Sequence, residues 1–168
     1  LSKLYESNAV GRVDVAPLAP YIVHMHTPTL QNDDCFAVRQ AARQVSHLYE
    51  RHLSAARVTP TQFIVLTALG LKRGQSMQCL SATLVMERTT VIRALKPLLR
   101  NGYVSSIAED GGRRLLLALT EKGKTKQEEA AQFWQSAKLE FEHRFGALAA
   151  VRLREELFRI GTMLSSQA

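Results

Sequence analysis

The chain has 168 residues, 46% of them hydrophobic and 22% charged, with few Gly and Pro, a composition that suits a helical globular protein and argues against disorder. No apolar run approaches the roughly 20 residues needed to span a bilayer, and the start Leu1-Ser2-Lys3-Leu4 lacks the pattern of a secretory signal, so a cytoplasmic location is expected. The formal net charge is +7, and all of it falls between Lys72 and Lys126, where eleven Lys/Arg meet four acids. A positive field confined to one module points to nucleic acid.

In chain order, residues 1–32 read as an arm, punctuated by Pro17, Pro20 and Pro28. His24-Met25 is what a common cloning junction encodes, so Met25 is expected to be the native start and residues 1–24 an addition. Asp33-Asp34 then sets two acids at a helix start. Val38, Ala41, Val45, Leu48 and His52 recur at steps of 3 and 4, predicting an amphipathic helix to about Ala56. Thr59-Pro60 is an N-cap followed by Pro at the first helical position, opening a helix whose run Phe63 to Leu69 should be buried nearly all round. Gly74 ends the next connection, and Ser76 caps a short helix through Leu84.

After a break at Val85-Met86-Glu87 comes a helix from Arg88 to about Arg100. Val91, Leu95, Leu98 and Leu99 form its expected inner face, and Arg88, Thr89, Arg93, Lys96 and Arg100 its other. Pro97 should kink this helix or loosen its last turn, and Asn101-Gly102 should end it. Tyr103–Ala108 and Arg114–Leu119 are β-prone and flank Gly111-Gly112, which predicts a hairpin with a glycine tip. Thr120 caps a helix through Trp134 to about Phe145, broken by Gly146. The last helix carries a seam of Ala150, Leu153, Leu157, Ile160 and Leu164, suited to helix-on-helix packing, a subunit interface included. The fold expected is mainly α with a small β-hairpin.

The helix-turn-helix and hairpin define a candidate DNA surface. Ser76 lies at the start of its first helix; Thr89 and Thr90 sit where hydroxyls and free amides can meet phosphate or a base. Arg93 has the reach for a bidentate contact to guanine, while Arg88 and Lys96 extend the basic face. At the hairpin, Arg113 and Arg114 offer an Arg to a narrow minor groove, with the other on phosphate or paired to Asp110.

Four motifs together resemble the MarR family of winged-helix repressors: Thr59-Pro60-Thr61-Gln62-Phe63, Arg88-Thr89-Thr90-Val91, Asn101-Gly102-Tyr103-Val104 and Leu119-Thr120-Glu121-Lys122-Gly123. The resemblance covers about Cys35 to Leu164. It implies a homodimer with a winged module at residues 59–120 and N- and C-terminal dimerisation helices at 33–58 and 121–168. It also implies release from DNA by a small-molecule or oxidant signal. Two such modules would occupy successive major grooves of a pseudo-palindromic double-stranded site, about 34–36 Å apart. Family hairpins commonly read Asp-Arg-Arg where this chain has Gly111-Gly112-Arg113-Arg114, so the orienting aspartate is displaced to Asp110 or absent.

Cys35, near the start of the first long helix, is placed similarly to the oxidised thiol in the peroxide-sensing branch of that family, which makes it a redox-sensing candidate beside the plainer reading of a packed cysteine. Tyrosines surround that thiol in the branch, whereas Arg39, Thr61 and Phe63 stand in the corresponding places here. Cys79 reads as a small buried hydrophobe. Cys35 and Cys79 form no ligand pattern with the histidines, so neither metal nor cofactor is expected. No phosphate-binding Gly loop and no nucleophile–base spacing speak for an enzyme. A winged-helix protein-interaction module is the alternative, but it would have no need of so concentrated a charge.

Overall fold

The computed structural model describes residues 30–108 and 115–165. A 3-10 turn (Leu30–Asn32) leads into α1 (Asp34–Leu53) and a second 3-10 turn (Ser54–Ala56). α2 (Pro60–Leu71), β1 (Gln75–Ser76), α3 (Met77–Leu84) and α4 (Arg88–Arg100) follow. β2 (Val104–Ala108) and β3 (Leu115–Leu119) form the hairpin, and α5 (Glu121–Phe145) and α6 (Ala147–Ser165) complete the described chain. The proposed addition at residues 1–24 and the tip Glu109–Arg114 lie outside the described residues.

Local chemistry sets most of these boundaries. Phe36 N–H donates to Asp33 Oδ1 at 2.6 Å, closing the start of α1. Thr59 and Gln62 form a reciprocal capping box at α2, with bonds of 3.2 and 2.9 Å. Ser76 Oγ accepts from Cys79 N–H, and Thr120 Oγ1 from Gly123 N–H, to start α3 and α5. Gly146 ends α5 at φ 95°, a conformation glycine adopts without strain.

Two apolar clusters hold the elements together. The larger joins Val65, Leu66 and Leu69 of α2 with Leu80 of α3, Val91, Ala94, Leu95 and Leu98 of α4, and Val104 and Leu117 of the hairpin. The smaller joins Leu53, Ala56, Val58 and Phe63 to Ala130 of α5. Trp134 stacks on Phe63 at 4.7 Å and meets Tyr49 edge-on at 4.4 Å. α2 therefore belongs to both clusters, and its run from Phe63 to Leu69 is largely buried, as its sequence predicts.

Two expectations need correction, those on Leu99 and Cys79, and two are sharpened. The inner face of α4 uses Ala94 and not Leu99, which is 39% exposed: Leu99 lies at the edge of the apolar stripe and turns outward. α4 continues past Pro97 to Arg100, with Asn101 N–H donating to the Pro97 carbonyl at 3.0 Å, so the last turn is kept. The sheet has three strands, in the order β1-β3-β2. Its extra strand arises because Gln75 and Ser76 pair with Leu117 and Leu116. Cys79 is half-buried, its Sγ 3.8 Å from Gln75 Oε1.

Gln75 is the one buried polar residue among those described. Its Nε2 donates to the Ala68 carbonyl at 2.6 Å, satisfying an orphan acceptor at the end of α2. Its backbone meanwhile pairs with β3. One side chain thus joins α2 to the foot of the sheet.

The tightest approach lies where α5 leaves the hairpin. Thr120 Oγ1 donates to the Gly102 carbonyl at 2.8 Å, and Thr120 N–H to the Tyr103 carbonyl at 3.1 Å. A Cβ on Gly123 would stand 1.9 Å from that Tyr103 oxygen. The glycine of Leu119-Thr120-Glu121-Lys122-Gly123 is therefore required by a backbone crossing. Gly123→Ala is expected to destabilise the protein by about 1–3 kcal/mol in urea unfolding. Gly70→Ala, whose Cβ would meet only an ordinary contact at 3.5 Å from Leu119 Cδ2, should be neutral or stabilising.

A second joint ties α1 to α5. Glu140 accepts from Arg51 and from His52 Nε2, both at 2.5 Å, and pairs with Arg144 one turn on. The His52 hydrogen bond, opposed by partial burial and aided by Arg51 and Arg144, holds this carboxyl below its ordinary value of 4.5. A carboxyl lowered by folding contributes stability above its unfolded pKa and loses it as pH falls toward the folded one. Melting temperature should accordingly drop below pH 4.5 more steeply in the parent protein than in Glu140→Gln, as thermal scans across the acid range will show.

Candidate nucleic-acid interface

The candidate surface is the outer face of α4. With Val91, Ala94, Leu95 and Leu98 buried against α2 and α3, helical geometry turns Arg88, Thr89, Thr90, Arg93 and Lys96 outward, and all five are exposed. None of the three cations has a carboxylate partner among the described residues. They form one solvated basic strip, free to meet an external anion. Arg113 and Arg114 lie outside the described residues.

The free amides expected at the start of α4 are there, and the missing side-chain cap at Glu87 is the feature the sequence reading did not single out. Side chains cap α1, α2, α3 and α5, but Glu87 at the head of α4 makes no capping hydrogen bond. Thr90 and Val91 N–H both donate to the Glu87 carbonyl, at 2.9 and 3.1 Å. The amides of Arg88 and Thr89 remain at the positive end of the helix dipole, a ready site for phosphate. The signal was present in the sequence, since glutamate is a poor N-cap compared with Ser, Thr, Asp or Asn.

Ser76 is half-buried and its oxygen is committed to Cys79 N–H, leaving its hydroxyl proton to donate outward. Between α3 and α4 the chain turns at Val85, which is left-handed (φ 50°, ψ 46°) and 86% exposed. A β-branched residue is strained there. The turn thus gives up some stability and presents an apolar side chain beside the basic strip.

Cys35 lies in the first turn of α1 and is exposed, so within one chain it is not a packed cysteine. Among the described residues no cluster of His, Cys, Asp and Glu could hold a metal ion, and no helix is long and apolar enough to cross a membrane.

A helix pair whose second helix turns a basic, uncapped face outward, backed by a three-stranded wing and flanked by long helices, defines a winged helix-turn-helix protein. The family model for a winged helix DNA-binding domain matches residues 58–123. The chain belongs to the MarR family of winged-helix transcriptional regulators, a family of regulators and not of enzymes. It is 33% identical over 97 residues to the HTH-type transcriptional regulator SarZ of Staphylococcus saprophyticus, a match spanning 57% of this chain and 66%, just under two thirds, of that protein. The regulator MosR of M. tuberculosis, solved in complex with DNA, is similar at 30% identity and a TM-score of 0.70, over 80% of this chain and 97% of MosR. Apo MarR from E. coli shares the fold at 21% identity and a TM-score of 0.64, over 76% of this chain and 96% of its own.

Proposed function

We propose that the chain works as a homodimeric, sequence-specific DNA-binding transcriptional regulator, a repressor released by a small-molecule or oxidant signal. The observation that carries this is the outer face of α4, where Arg88, Arg93 and Lys96 stand exposed, without a carboxylate partner among the described residues, beside amides that no side chain caps. In this reading Arg93 reads a base, and Arg88, Thr89, Thr90 and Lys96 engage phosphate and flanking edges, with Ser76 donating from α3. Arg113 and Arg114 carry the second contact, at the hairpin tip. MosR, solved with DNA, supports the assignment by likeness.

Residues 59–120 would form the reading module, and the helices on either side the dimer. α6 supports the second half of this. Leu148, Leu157, Phe158, Ile160, Met163 and Leu164 are exposed along it, more apolar surface than a single helix of a monomer usually leaves in water. A second copy covering this face would set the two reading helices about one helical turn of DNA apart.

Sites selected from random DNA should be pseudo-palindromic, and affinity for them should fall steeply with salt as phosphate contacts release counterions. Arg93→Ala is expected to relax preference at one half-site position by about 1–3 kcal/mol. Uniform weakening across all sequences would instead make Arg93 a phosphate contact.

The exposed thiol of Cys35 is the candidate receiver of an oxidant. Organic hydroperoxide should lower operator affinity in a gel-shift titration, and Cys35→Ser should retain full binding. Unchanged binding by the treated parent protein would remove Cys35 from the signal.

A further inference from the structure

At the far end of α4 from its reading turn, a cleft of about 610 Å³ opens between the 3-10 turn after α1, the carboxyl end of α4 and the first turns of α5. Arg57, Arg100, Asn101, Tyr103, Lys122 and Lys126 wall it, with Glu129 at its edge. Lys126 is paired with Glu129 at 2.5 Å and also donates to the Ala56 carbonyl at 3.4 Å. Arg57, Arg100 and Lys122 have no carboxylate partner among the described residues. Lys122 and Lys126 stand over the Tyr103 ring at 5.3 and 5.9 Å.

Local energetics explains two of these four cations. Arg100 suits the negative end of α4. Arg57 occupies a left-handed position, φ 55°, where glycine would sit without strain. Lys122 lies in the first turn of α5, where the helix dipole opposes positive charge. Lys126, its side chain 18% exposed, is held by Glu129 and the Ala56 carbonyl. Arg57 and Lys122, both held against their local preference, converge with Arg100 on one concavity, where an anion would offset their cost.

We propose that this cleft binds a small polyanion of the phosphorylated-metabolite class. Arg57 and Arg100 supply planar forks for phosphoryl oxygens, and Lys122 and Lys126 supply point charges. The Asn101 amide is an added donor. The volume accommodates two linked phosphates with a modest organic group. A DNA phosphate is the poorer fit. The cleft is concave, and the rise of α4 sets it roughly 18 Å from the reading turn. The site stands independently of the DNA-binding reading, because its readout is direct.

Calorimetric titration of the full chain with inorganic pyrophosphate, at constant ionic strength and with sulfate as control, tests it. Saturable binding, one per chain and tighter than sulfate, is expected. Arg57→Gly and Lys122→Gln should each weaken it about tenfold or more. Arg57→Gly suits the backbone and Lys122→Gln keeps the stem, so both should melt like the parent protein, and a loss of binding reports the lost charge. No saturable binding, or binding that both variants leave intact, would overturn the proposal. So would a fall of about one in the salt slope of DNA binding in each variant, which would make the cleft a DNA phosphate contact.

Discussion

The Tyr103 carbonyl and the first turn of α5 approach so closely that no side chain fits between them, and the arrangement of the two halves depends on that contact. Thr120 works from both sides of it. Its hydroxyl donates to the Gly102 carbonyl while accepting from Gly123 N–H, and its own N–H donates to Tyr103. The end of α4 and the start of α5 are therefore held by backbone groups and one threonine hydroxyl bonded on both sides, which leaves few alternative rotamers to absorb a shift. Glu140 supplies a different kind of joint on the other flank, where α1 meets α5 through Arg51 and His52, with Arg144 of α5 itself as a third partner. The first is insensitive to pH and the second is not, so acid should loosen the long helices from each other before it touches the link to α4.

The charge of the molecule serves two geometries. On the outer face of α4 the cations lie along one strip, as an extended polyanion requires. Around the cleft they face inward from three separate elements, as a compact one requires. The same excess of +7 counted along the chain could not distinguish a strip from a ring. Strain follows the same division. The two non-glycine residues with positive φ among those described are Val85, beside the strip, and Arg57, in the cleft wall.

The parts of the fold that could be read in advance were those decided within one turn of chain. Asp33, Thr59, Ser76 and Thr120 each act on an amide three residues ahead, so their roles are local. Leu98 and Leu99 show where that logic thins. Adjacent leucines on a helix differ by about 100° of rotation, and only the neighbouring elements decide which is covered. β1 was unreadable for another reason: two residues carry no periodicity, and their strand character comes from Leu116 and Leu117, some forty positions away. The Glu140 joint brings together residues 88 and 89 positions apart. The basic face of α4 was readable because one helix carries it, and the cleft was not because three elements share it.

α2 has a place in both apolar clusters, and this sets how the molecule can move. Phe63 is fixed against Trp134 and the long helices, while Leu66 and Leu69, one and two turns on, are fixed under the reading helix. Rotating α2 to improve its fit on one side spoils it on the other, because both sets of side chains ride on one rigid cylinder. The helix is thus an axle shared by two bearings. A displacement begun at α1 or α5 therefore has a short packed route through α2 to α4.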